Sequence, residues 1–372
     1  MNHDGRSALT LFLCGDLMLG RGIDQILPHP SGPALHEPAV TDAREYVELA
    51  EEVNGRIPRP VAFDYVWGDA LEELVRVEPD ARIVNLETSV TRSERWVPKG
   101  INYRMSPDNV GCLSRAHVDC CVLANNHVLD YGTDGLLETL DTLHHAGLET
   151  AGAGRDSTEA RAPAIVLTSS GTRVLVVGIG LESSGIAPAW AATRKDPGLN
   201  LVEEGVMAAE RIGRELARIR RAGDVVVASV HWGPNWGFRI TEDQVTLAHA
   251  LVDNAGADVV HGHSSHHPKG IEVYRGKLVL YGCGDFLNDY EGISGHEEYR
   301  NDLSLMYFAR VHSGTGMLSD LRMKPLRMRR FRLERASESD ARWLTDTLDN
   351  EGARLGTRVE LDRDGALTLR WQ

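Results

Sequence analysis

Val225-Val226-Val227-Ala228-Ser229-Val230-His231-Trp232-Gly233 is a run of six small or β-branched residues that stops on an imidazole and a glycine. Unbroken apolar character over that length is the mark of a strand buried on both faces. Four other runs follow the same rule. Leu9-Thr10-Leu11-Phe12-Leu13-Cys14 precedes Gly15-Asp16, and Arg82-Ile83-Val84 precedes Asn85-Leu86-Glu87. Residues 119–124 run into Asn125-Asn126-His127, and Asp258-Val259-Val260 runs into His261-Gly262-His263-Ser264-Ser265-His266-His267.

Helical patterns separate these runs. Residues 135–145 place Leu136, Leu137, Leu140 and Leu143 on one stripe, with Gly147 as a stop. Thr241-Glu242-Asp243-Gln244 has the capping-box spacing and opens a helix carrying Val245, Ala248, Leu251 and Val252, closed by Gly256. Strands alternating with helices predict an α/β fold whose sheets are covered by helices. Residues 28–60, rich in proline, read as an insertion or lid beside the first strand. Residues 294–372 change texture, with strand-like runs at 303–311 and 323–333 and a helical stretch at 337–348. They read as a C-terminal extension capping the domain formed by residues 1–293.

The chain has 372 residues, 42% hydrophobic and 25% charged, so it has material for a large core and is neither disordered nor a disulfide scaffold. A net charge of −14 disfavours gripping nucleic acid or an anionic membrane surface. Five cysteines without CxxC spacing suit a reducing compartment. The N-terminus lacks a basic flank and cleavage site, and no stretch reaches the ~20 apolar residues of a membrane span, so the expectation is a soluble, cytoplasmic protein without a membrane anchor.

In open α/β sheets ligands bind beyond the carboxyl ends of the strands. The five run ends deliver Asp16, Glu87, Asn126, His127, His231, His263 and His266 there. Carboxylates, an amide oxygen and imidazoles form a mixed oxygen and nitrogen set that suits divalent Mn, Fe or Zn better than Ca or Mg. Two such ions held by a bridging carboxylate stabilise both faces of a displacement at phosphorus or a carbonyl.

The segments Gly15-Asp16, Asn85-Leu86-Glu87, Asn125-Asn126-His127, His231-Trp232-Gly233 and Gly262-His263-Ser264-Ser265-His266 resemble, in order and spacing, the CapA family of poly-γ-glutamate capsule proteins. That family looks like a branch of the calcineurin-like metallophosphoesterases. Asp130-Tyr131-Gly132, Gly152-Ala153-Gly154 and Gly284-Asp285-Phe286 extend the match over roughly residues 9–288. The resemblance implies a four-layer α/β/β/α sandwich binding one or two divalent transition-metal ions. Asp16 would take one ion and Glu87 the bridging place. Asn126, His231 and His263 would hold the second ion, with His266 returning to the first. His127 would donate a proton to the leaving group, oriented by Asp130.

Five positions depart from the pattern, among them Ser264 and Ser265 where the family carries His-Pro. Met18 stands where the metallophosphoesterases carry a histidine, which leaves the first site with three ligands, Asp16, Glu87 and His266. Asn235 and Asp285 replace a Glu and an Asn common in CapA proteins. Around the site, Arg104, in a polar loop after Glu87, is expected to clamp an anionic group, and Trp232 and Trp236, flanking Gly233, to form a substrate wall. Arg327, Arg329, Arg330, Arg332 and Arg335 read first as a solvated strand face. His3 and His296 are among the histidines assigned to surface or helix faces. Together these features predict a metal-dependent hydrolase acting on a small phosphoester or a glutamyl-type amide, its partner a small anionic substrate or acidic peptide. The alternative is a non-catalytic accessory subunit of polyglutamate or related biosynthesis.

Overall fold

The structure, a computed structural model, describes residues 8–372. The leader-peptide reading rests partly on residues 1–7, and His3 is among them, outside the described residues.

Two sheets pack face to face. The larger orders its main strands Thr357–Leu361, Leu367–Trp371, Leu318–Met328, Leu303–His312, Ala8–Leu17, Ala81–Leu86, Cys120–Val122 and Glu149–Ala151. The smaller orders Ile271–Tyr274, Lys277–Leu280, Val259–His263, Val225–His231, Arg173–Gly180 and Ala164–Leu167. The alternation of side chains along each strand explains why both faces are apolar. Val225 and Val227 enter the core between the sheets with Leu9, Leu11 and Leu13. Val226, Ala228 and Val230 face outward, against the helices Val206–Leu216 and Glu242–Asp253. Phe12 and Cys14 face outward from the larger sheet into a second helix-covered core, which receives Leu136, Leu140 and Leu143 of the helix Gly132–His145. The result is a helix, sheet, sheet, helix sandwich.

The expected capping box forms: Gln244 N–H donates to Thr241 Oγ1 at 3.2 Å, and Thr241 N–H donates to Gln244 Oε1 at 3.1 Å. The C-terminal strand Leu303–His312 runs antiparallel to Ala8–Leu17, pairing Ala8 with His312 and Leu13 with Tyr307. The helix Glu338–Gly352 sends Ala341, Leu344 and Leu348 into the inter-sheet core. The 323–333 run is broken in two, because Arg330 and Phe331 turn with positive φ between Leu318–Met328 and Leu333–Arg335. Arginines of that cluster pair with acids, Arg327 with Asp302 at 3.0 Å and Arg335 with Glu72 at 2.7 Å. Residues 28–60 include the helix Ala43–Asn54 and form one wall of the cavity described below.

Candidate metal centre

The central strands of both sheets run parallel, so their carboxyl ends share one edge of the sandwich. Asp16 is level with Asn85 on one side and Asp285 on the other, and His231 is level with His263 in the facing sheet. The close approach has a backbone cause. A Cβ on Gly15 would sit 1.7 Å from the Gly284 carbonyl oxygen, and Gly284 itself has φ +77°. Only glycines let Asp16 N–H donate to Gly284 O at 3.0 Å and bring Asp16 beside Asp285.

Two sets of donors meet here: Asp16 with His231 and His263, and Asp16 with His266 and Asp285. His231 Nδ1 lies 2.7 Å from His263 Nδ1, and His263 Nδ1 lies 3.9 Å from Asp16 Oδ1. His231 Nε2 is 3.0 Å from Asn126 Oδ1 and 3.8 Å from Glu87 Oε1. His266 Nδ1 is 2.7 Å from Asp285 Oδ1. Asp16 is common to both sets, and Glu87 abuts Asp16 as well as lying on the Asn126 and His231 side. Asp285 joins Asp16 and His266 in the second set, on the side where Met18 offers no carboxylate or imidazole. Met18 is fully buried with its sulfur 3.5 Å from the Tyr290 hydroxyl.

The donor set fits a cation. Asp16, Glu87 and Asp285 are all at most 2% exposed. Burial, then the charge of Asp285, pushes Asp16 up to about 7, and burial, then the charge of Asp16, pushes Glu87 well above the ordinary carboxylate range. Burial pushes His231 and His263 down, leaving neutral imidazoles with lone pairs. Two abutting carboxylates without a cation must share protons, which a divalent ion displaces. The surroundings fix the donors: Asn85 Nδ2 donates to Asp16 Oδ1 at 2.7 Å and to Glu87 Oε2 at 3.2 Å. Ser229 Oγ is 2.9 Å from His263 Nε2, which leaves Nδ1 to face the site. Asn125 bonds Asn85 through Nδ2, while its Oδ1 accepts the His127 N–H at 3.1 Å.

A pH dependence follows. In the metal-free fold Asp16 keeps its proton up towards neutrality, and Glu87 holds its own well beyond the pH at which the unfolded chain releases it. Their contribution thus favours the metal-free fold in acid and fades as pH rises. A bound cation needs them ionised, so the rise in melting temperature produced by Mn, Fe or Zn should grow steadily from about pH 5 to about pH 8. The neutral His231 and His263 destabilise the fold in acid with or without metal, so their effect cancels in that difference. A metal-induced shift that is flat or falls across this range contradicts the assignment.

His127 and Asp130 come together beside this set. His127 Nδ1 is 2.7 Å from Asp130 Oδ2, and its free Nε2 faces Glu87 Oε1 at 4.0 Å. Lys99 Nζ donates to Asp130 Oδ1 at 2.8 Å. Burial, aided by Lys99 and opposed by Asp130, pushes His127 down to about 4. The ring is therefore neutral near neutral pH and must take up a proton before it can donate one.

Two expected substrate residues lie elsewhere. Trp232 is 1% exposed and belongs to the outer core, its Nε1 donating to Tyr281 O at 2.9 Å. Consecutive strand residues point to opposite faces, so His231 at the site sends Trp232 away from it. Arg104 is held by the carbonyls of Ser93 at 2.9 Å and Gly32 at 3.0 Å. Its guanidinium lies 4.9 Å from the Tyr131 ring, beside a cavity that does not include His266. At the cavity that includes His266 stand Trp236, its ring 5.1 Å from His266, and His296, exposed as expected and stacked on Trp236 at 3.9 Å.

The family described as "Bacterial capsule synthesis protein PGA_cap" matches residues 10–290. The chain is 46% identical to a probable polyglutamine synthesis accessory protein of Mycobacterium tuberculosis over 97% of this chain and 96% of that one. It is 26% identical to the PGA biosynthesis protein CapA of Bacillus subtilis over 83% of this chain and 69% of that one. With the capsule biosynthesis protein CapA of Bacillus anthracis the identity is 24%, over 78% of this chain and 62% of that one. No helix among the described residues is long and apolar enough to cross a membrane.

Proposed function

Because this chain belongs to the PGA_cap family of bacterial capsule synthesis proteins, we propose that it is a metal-dependent hydrolase of a small phosphoester or a glutamyl-type amide. The observation that carries this reading is His127. Its Nδ1 is fixed by Asp130 and its free Nε2 is turned to the donor set. A purely structural site has no need of an oriented, unligated imidazole there.

Asp16, Glu87, Asn126, His231, His263, His266 and Asp285 would hold one or two divalent ions. When bound, such ions polarise the scissile group and make water nucleophilic near neutral pH. Asp130 accepts the Nδ1–H of His127 and sets its tautomer; Lys99 holds Asp130 in place. An anionic substrate beside Nε2 raises the proton affinity of the ring, and His127 then passes that proton to the leaving oxygen or nitrogen. Five buried, unpaired cysteines support work in the reducing cytoplasm.

The accessory-subunit reading is favoured by a different observation, the name of the M. tuberculosis relative, similar along almost its whole length. The test is a hydrolysis screen of the full chain loaded with Mn, Fe(II) or Zn against phosphomonoesters and γ-glutamyl anilides. The expected result is turnover of at least one class that a chelator abolishes. Metal binding without turnover of either class overturns the hydrolase and leaves the accessory reading.

A further inference from the structure

His266 forms one end of a cavity of about 400 Å³ whose other walls take no part in the chemistry above. Trp236, Tyr290, Ile101, Ile293 and Pro38 line those walls. The volume is ample for an aromatic ring and falls in the range of small-molecule sites. Trp236 is half-buried, and Ile101 and Ile293 are 45% and 44% exposed, so apolar surface is left uncovered beside the donor set.

The charges on the wall are already committed. Arg21 is its only guanidinium, and Nη1 donates to Glu37 at 3.1 Å while Nε donates to Asp289 at 3.2 Å. Its plane lies 4.0 Å and 4.3 Å from the rings of Tyr46 and Tyr103. One cation against two buried carboxylates leaves this side negative, with Glu37 itself on the wall. A second carboxylate entering here meets repulsion and finds no uncommitted guanidinium or ammonium group on the wall. An uncharged ring finds an indole and aliphatic side chains.

We propose that this cavity is a specificity subsite for an uncharged aromatic group, so that the substrate joins a metal-seeking head to a ring rather than to a run of carboxylates. The proposal rests on reading the donor set as a metal centre.

The test is calorimetric titration of the zinc-loaded full chain with three phosphonates that share a head group: 2-phenylethyl-, ethyl- and 2-carboxyethylphosphonate. The phenylethyl compound should bind at least about tenfold more tightly than the ethyl one, and the carboxyethyl compound no more tightly. In Trp236→Ala, and in Ala39→Trp on the exposed rim, the phenylethyl-to-ethyl ratio should fall towards one. Equal phenylethyl and ethyl affinities, a tightest carboxyethyl compound, or a ratio unmoved in both variants overturns the subsite and leaves the metal centre standing. Zinc retained with no phosphonate bound overturns the subsite; failure to take up zinc overturns the centre itself and the subsite with it.

Discussion

The His127→Asn protein should keep its fold and its metal while losing about 10²–10⁴-fold in turnover, the usual contribution of a positioned acid or base. The loss is specific in kind. Asparagine preserves a polar group near Asp130 and Lys99, but no side-chain atom takes the place of Nε2 opposite Glu87. The defect should shrink for esters or amides whose leaving group departs without a proton, because only proton transfer has been removed. Loss of the same size for every leaving group would assign His127 to structure, and unchanged turnover with poor leaving groups would remove it from the mechanism.

Asp16→Asn should bring turnover to background by another route. Asp16 is the residue common to both donor sets, so its loss weakens both at once. Elemental analysis of the variant should show metal depleted. Asp16 is buried against Glu87 and Asp285, whose charges oppose its own. The amide keeps the size and shape of the carboxyl group, so the chelated variant should stay folded and melt close to chelated wild type. A large drop in melting temperature would make the activity loss a folding defect and sink the interpretation.

Much of this was legible from runs ending in polar residues, because a strand buried on both faces must be apolar until it reaches the edge where function begins. Arg173–Gly180 escaped that reading because it ends in Gly180-Leu181, with nothing polar to mark it. Asp285 escaped for the opposite reason. It opens a strand of only three residues laid beside Ala8–Leu17, and no apolar run announces it. Its one signal was an aspartate where CapA proteins carry asparagine.

Proximity in sequence misled twice. Trp232 follows a site histidine, yet strand alternation buries it in the outer core. Arg104 follows Glu87 by a short loop, yet the pairing of Ser89 with Arg104 turns its guanidinium to the Ser93 and Gly32 carbonyls. The membership of Asp16 in both sets was also out of reach. It depends on Gly15 meeting Gly284, a contact between residues far apart in the chain.

The central claim is that the meeting edge of the two sheets is a metal centre, and metal content measures it directly. Elemental analysis of wild type purified without a chelating tag should find at least one equivalent of Mn, Fe or Zn per chain, rising towards two when metal is supplied. The Asp285→Asn protein should keep the ion held at His231 and His263 and lose the other. Wild type that carries no metal and takes up none from solution would contradict the account.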